Sequence, residues 1–287
     1  MEPAFLSELS DQLFVAFDTE TTGLVSRHEH VVEIAGVRFT GAGHEISRFS
    51  TLANPGAPIT PESTRIHGIC DDMVKQAPGS VDAVHQFAEW LDDDDTLIGH
   101  NAAFDVTFIS TELSRGGFTG PKNTVLDSLR LMRELAPESP NHRLQTLTEY
   151  FELPETGFHR AMSDSLHVKS LLLKALELRP DASMAGLQTL CGVAGFHDMT
   201  SGQLNQQPRF ADLAETIEQG GVIRIRYDTH EARGVIQQRV LPLNLCRTNE
   251  VDYLIAQCMA DGRVHQFKLA NLIDYNFAFQ DALRHST

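Results

Sequence analysis

Apolar positions recur with period two in three early stretches of the chain and with helical spacing in most segments between residues 81 and 178. Residues 13–20, VVEIAGVRF (31–39) and EISRFSTL (45–52) alternate as strands do, the latter two around the turn TGAGH. A helical pattern over 81–91, a short strand at 96–99 and helical periodicity over 102–115 come next. NTVLDSL (123–129) predicts another strand, and 143–151 and 160–178 predict helices. Three consecutive strands followed by β/α alternation predict an α/β fold, a mixed sheet flanked by helices. LRPDASM (178–184) breaks the last helix, and 192–210 is rich in Gly, Ser, Asn and Gln, as linkers are. Beyond it, 222–228, 234–243, 251–260 and 263–277 read as strands with short polar turns, a small all-β module. The expected organisation is a first domain over 1–178, a linker with short helices over 179–216, and a β domain over 217–287.

The first strand ends in FVAFDTETTGL, so Phe14, Ala16, Asp18 and Glu20 share one face while Val15, Phe17 and Thr19 share the other. Two half-buried carboxylates on one face repel each other unless a cation neutralises them, and oxygen ligands of this kind suit Mg2+ or Mn2+. Further along, Asn101 and Asp105 in HNAAFD are four residues apart and lie on one helix face. In HRAMSD, His159 precedes Asp164 by five residues, at the start of the last long helix. Each signal alone has an ordinary reading: surface charges at a strand end, an exposed helix residue, a first-turn acid favoured by the helix dipole, a surface histidine. Their order and local contexts together carry the inference to a metal site.

Charge narrows the chemistry. The 287-residue chain carries 23 Lys or Arg and 39 Asp or Glu, a net charge of −16, yet from residue 216 onward the two kinds number eight each. The whole imbalance therefore lies in the first part, which makes it a poor non-specific binder of duplex phosphates, because such binding comes largely from counterions released by Lys and Arg. DDDD (92–95) reads as a solvated helix end. Cys70, Cys191, Cys246 and Cys258 form no CxxC pair, which argues against zinc or a disulfide framework. No stretch approaches the roughly 18 apolar residues of a membrane span, and MEPAFLSELSDQ lacks a basic segment before an apolar one, so a cytoplasmic protein with no membrane partner is expected.

FDTETTGL, HNAAFD and HRAMSD resemble the three motifs of the DEDDh exonucleases, and PESTRIHGI (61–69) and HRLQTL (142–147) resemble further family segments; the likeness covers about residues 10–178. It implies a ribonuclease H-like fold with a mixed five-stranded sheet, Asp18, Glu20, Asp105 and Asp164 as ligands of two divalent cations, Mg2+ or Mn2+, and His159 as general base. It further implies 3′–5′ hydrolysis of single-stranded nucleic acid, DNA favoured over RNA, releasing nucleoside 5′-monophosphates. The partners are then DNA or RNA 3′ ends, and the likeness admits a homodimer. Thr21, Leu24, Glu62, His67, Asn101 and Phe104 match family positions around the terminal nucleotide, with packing as the ordinary reading of Leu24 and Phe104.

VDYLIAQCMADGRVHQFKLANLI, with IRIRYD and RVLPLNL before it, resembles a WYL domain, a small Sm/SH3-like β-barrel, over about residues 218–280, with Asp252 at the position of the eponymous Trp. Arg224, Arg226, Arg233, Arg239, Arg263 and Lys268 fall on alternating strand positions there, either a basic surface or plain solvated faces. Two rival functions are open: a regulatory nucleic-acid-binding protein that works through this barrel, or a polymerase-associated proofreading subunit.

Overall fold

The computed structural model describes residues 8–154, 157–194, 196, 210–229, 234–248 and 251–277. The chain divides into two compact units, the first formed by Met1–Gly23 and Glu29–Phe196, the second by Leu24–His28 and His197–Thr287.

The first unit is built on a mixed sheet of order β3-β2-β1-β4-β5-β6. β1 (Leu13–Thr21), β2 (Val31–Thr40) and β3 (Glu45–Leu52) form an antiparallel meander. β4 (Thr96–Gly99) and β5 (Val125–Asp127) add in parallel, and β6 (Val193–Ala194) closes the edge antiparallel to β5. The expected five strands are present, with the two-residue β6 as a sixth. The alternation in β1 feeds two cores. Phe14 and Ala16 join Val37, Phe39 and the apolar stripe Val168, Leu171 and Leu172 of α7 (Ala161–Leu178). Val15 and Phe17 join Val84 and Phe87 of α3 (Ser80–Trp90) and Val106, Phe108 and Ile109 of α4 (Ala103–Arg115). Gly36 on β2 permits that second packing, because a Cβ there would lie 3.0 Å from both Phe87 and Trp90.

Several short helices depart from the sequence pattern. α1 (Pro61–His67) is started by Thr60, whose hydroxyl accepts from Ser63 N, with Pro61 at the first position; α2 (Asp71–Val74) follows it. The strand expected over 123–129 covers only three residues, because Asp127 accepts from Leu129 N and turns the chain into α5 (Ser128–Leu135). α6 (Leu144–Tyr150) precedes α7 as expected. The segment assigned to a linker begins inside the first unit: α8 (Met184–Cys191) packs against α5 and β5 and buries Leu187 and Cys191 in the core that α7 also lines, and β6 extends the sheet. DDDD is only partly a solvated end. Asp95 is buried and takes Arg38 Nε at 3.1 Å and Nη2 at 2.8 Å, while Asp92 takes Nη1 at 3.1 Å.

The second unit is an antiparallel sheet of order β10-β9-β8-β7-β11, compatible with a small barrel. Its strands are β7 (Ile223–Asp228), β8 (Val235–Thr248), β9 (Val251–Cys258), β10 (Val264–Lys268) and β11 (Leu272–Phe277). The single strand expected over 263–277 is broken by a 3-10 turn at Leu269–Asn271, which sends β10 and β11 to opposite edges. α9 (Ala211–Gln219) contributes Leu213 and Ile217 to a core with Ile223, Ile225, Val240, Leu254 and Phe267. Arg226 and Arg263 are paired with Asp274 and Asp261, at 2.6 and 3.7 Å; Arg233 lies outside the described residues. Cys70, Cys191 and Cys258 carry free thiols.

Candidate active site

The α7 face of β1 is apolar until its last turn of alternation, where it delivers Asp18 and then Glu20 to the end of the sheet. A register shift after Glu20 ends regular pairing with β2 at that point. α7 lies over the same face and begins there, so Asp164 in its first turn meets the two strand carboxylates. Ligand oxygens of Asp18, Glu20 and Asp164 all lie within 4.8 Å of one another. Asp105 enters from the first turn of α4 and is buried; its Oδ1 accepts from Thr19 N at 2.9 Å and from Thr19 Oγ1 at 2.6 Å. Thr19, on the opposite face of β1, thus fixes the fourth carboxylate beside the other three. Among the neighbouring charges, Asp105 exerts the largest repulsion on Asp18.

Four acids in one place at the edge of a core resist ionisation. Burial, then Asp105, Glu20 and Asp164, hold Asp18 well above the usual carboxylate range. Burial first and Asp164 second push Glu20 up to about 8. Asp105 rises to about 7 through burial, against the two hydrogen bonds from Thr19, and Asp164 to about 6 through burial, against the amide of His159. Asp164 Oδ1 is buried and takes no hydrogen bond, with His167 Nδ1 3.6 Å away. A group of hard oxygen donors that hold protons for want of positive charge, one of them lacking a donor, fits divalent cations of the Mg2+ or Mn2+ type.

The loop before α7 brings in His159. Its backbone has φ +62, the left-handed region, and its amide donates to Asp164 Oδ2 at 3.1 Å. The histidine is exposed. His67, the last residue of α1, is buried; its Nδ1 accepts from Ile69 N at 3.0 Å, and burial lowers its pKa. It feels the charges of Glu33, Arg160 and His159, so it borders the acidic cluster. Ser63 ties α1 to the chain beyond β1 by donating to Thr22 O at 2.7 Å.

The remaining positions are more dispersed. Thr21 is half-buried and donates to Gly23 O at 2.7 Å, whereas Leu24 and Glu62 are exposed. Asn101 has φ +65, and its amide is held by Asp127 Oδ1 at 2.9 Å. Phe104 is half-buried with its ring 4.9 Å from that of Phe108, so packing accounts for part of it. Three residues that the pattern did not single out also shape the site: Thr19, Glu33 and Arg160. Glu33 had a signal, since it shares the α7 face of β2 with Ala35, Val37 and Phe39 and is the only charge in that row.

A family model described as Exonuclease (RNase_T) matches residues 15–172, and one described as WYL domain matches residues 208–275. The PolC-type DNA polymerase III of Bacillus subtilis (strain 168) is 38% identical over 199 residues, covering 69% of this chain and 13% of the polymerase. That of Listeria innocua serovar 6a is 40% identical over 157 residues, 55% of this chain and 11% of the polymerase. The chain thus spans a small fraction of the length of the curated relatives it matches. Among solved structures, exonuclease X in complex with 5′ overhanging duplex DNA has a TM-score of 0.51 at 24% identity, covering 62% of this chain and 99% of its own. The nuclease domain of 3′hExo, a DEDDh family member bound to rAMP, has a TM-score of 0.52 at 13% identity, covering 60% and 96%. These likenesses share the fold of the first unit. With the exonuclease model matching more than half of the residues, and the four carboxylates and His159 all inside the matched span, the chain belongs to the exonuclease family.

Proposed function

We propose that the protein removes nucleotides from the 3′ end of single-stranded nucleic acid, DNA in preference to RNA, releasing nucleoside 5′-monophosphates. The observation that carries this reading is the meeting of Asp18, Glu20 and Asp164 within 4.8 Å, with Asp105 alongside. Asp18, Glu20, Asp105 and Asp164 would hold two divalent cations, Mg2+ or Mn2+, which supply Lewis-acid stabilisation of the phosphoryl charge and of the leaving 3′-oxygen. Thr19 keeps Asp105 from turning away. His159 takes the proton of the attacking water, a role typically worth about 10²–10⁴ in rate. Thr21, Leu24, Glu62, His67, Asn101 and Phe104 hold the terminal nucleotide, through backbone and base faces and not base edges, so sequence preference is slight.

A panel of end-labelled single-stranded DNA, duplex DNA and RNA, with and without Mn2+, tests polarity, sugar preference and cation requirement together. Single-stranded DNA should shorten from its 3′ end only when the cation is present. Asp18→Ala should lower the rate by roughly 10²–10³, as loss of charge stabilisation at a reacting phosphate does, while the circular dichroism spectrum stays unchanged. Equal activity in the variant would remove the assignment.

A second reading has support from the relatives, which are DNA polymerases of the PolC type: the exonuclease proofreads for a polymerase carried on another chain. Co-purification of a tagged copy with a replicative polymerase would favour it.

A further inference from the structure

We infer that Glu33 and Arg160 form a positioning clamp that holds the His159 segment over the acidic cluster. This inference rests on the proposed role of His159. Glu33 stands opposite Glu20 across the β1–β2 pair and is buried, with 3% of its surface exposed. It is a fifth carboxylate close enough to raise the pKa of Asp18, Glu20 and Asp164, yet it is differently engaged from the four. Its Oε1 accepts from Arg160 Nη2 at 2.7 Å, and its Oε2 accepts from Arg160 Nε at 3.0 Å and from Ala161 N at 3.0 Å. Both oxygens are therefore occupied by the residues that directly follow His159.

The arrangement answers two needs of the loop at once. α7 begins at Ala161, and Arg160 in the capping position makes no side-chain cap, so the first amide of the helix depends on an acceptor from elsewhere. Glu33 supplies it, from a neighbouring strand. His159 occupies the left-handed backbone region, which costs a non-glycine residue roughly 1–3 kcal/mol unless its surroundings impose it. Here the surroundings do so on both sides: the His159 amide is held by Asp164, a proposed cation ligand, and the next two residues are held by Glu33. The bidentate fork also fixes direction as well as distance, which a lysine at 160 could not do. Arg160 meanwhile lowers the pKa of Glu20 and so offsets the negative charge that Glu33 brings to the cluster.

The test uses Glu33→Gln, which preserves shape and one acceptor oxygen, and Arg160→Lys, which preserves charge but loses the fork. In either variant kcat on single-stranded DNA should fall roughly 10- to 100-fold, the scale of a displaced catalytic group. KM should stay within about twofold and the Mn2+-induced rise in melting temperature should persist, because the four cation ligands are intact. Deuterium exchange at the His159 and Ala161 amides should speed up. In a His159→Ala background neither substitution should lower kcat further, since a clamp that acts through His159 has nothing left to position. Full additivity in that background, or unchanged kcat in the single variants while His159→Ala is impaired, would overturn the clamp alone. A His159→Ala enzyme with normal kcat would overturn the reading of His159 beneath it, and the clamp with it.

Discussion

Each of the four acids carries a pKa that rises on folding, and this fixes how stability responds to pH. In the unfolded chain Asp and Glu titrate near 4, whereas in the fold Asp164 titrates at about 6, Asp105 at about 7 and Glu20 at about 8, with Asp18 raised as well. Below about pH 4 both states are protonated and the shifts cost nothing. Between that pH and about 8 the folded state binds more protons than the unfolded one, so the stability of the cation-free protein falls as pH rises, and the loss is complete above the folded values. Half-buried Asp127, also raised by desolvation, acts in the same direction; His67, whose pKa is lowered by burial, opposes it below its ordinary 6.5. Cations replace the protons, so their benefit should grow with pH. At about 100 times its dissociation constant a cation contributes about 2.7 kcal/mol, or roughly 5–10 °C for a protein of this size. Melting curves in EDTA and in Mn2+ from pH 5.5 to 8.5 should diverge as pH increases. A cation-free melting temperature that does not decline over that range would contradict the burial of these carboxylates.

Between elements, a strong polar link lies at the far side of the sheet from α7, where Arg38 of β2 binds the turn before β4. Its guanidinium takes Asp95, Asp92 and the Trp90 carbonyl, the last at 2.6 Å, and lies 4.6 Å over the Trp90 ring. Asp95 has no exposed side-chain surface. Removing one partner of such a buried pair costs about 3–5 kcal/mol, because the other charge stays behind. Arg38→Ala should therefore lower the melting temperature by roughly 8–15 °C, measured by calorimetry; a shift under about 2 °C would mean that solvent already reaches Asp95. The sequence discloses this link poorly, since four consecutive aspartates look like a solvated run and only burial distinguishes the last. The same holds elsewhere. β1, β2 and α7 were legible because their apolar periods are long, and the shared face of Asp18 and Glu20 follows from the period alone. β5 and α5 were not, because three residues define no period and Asp127 serves as both strand end and helix cap. The cluster of Asp18, Glu20 and Asp164 could be anticipated from motif order, but the grip of Glu33 on Arg160 joins residues 127 positions apart and has no local signature.

For the molecule as a whole, the decisive point is where the nuclease unit ends. Composition suggests residue 178, where the helix breaks, yet the first unit continues to Phe196. Ser183 caps α8 by accepting from Gly186 N at 3.2 Å, Leu187 and Cys191 are buried in the core against α5 and β5, and burial pushes the Cys191 thiol up to about 12. Val193 and Ala194 then cover the edge of β5, which would otherwise present unpaired backbone groups. A chain that stops at 178 leaves those positions vacant. Losing the Leu187 side chain alone should cost about 2–5 kcal/mol, and the uncovered strand edge adds a tendency to self-association. A chain ending at residue 196 should accordingly melt at least ~5 °C above one ending at 178 and stay monodisperse in light scattering at concentrations where the shorter chain aggregates. Equal melting temperatures would show that α8 and β6 rest on the nuclease core without supporting it.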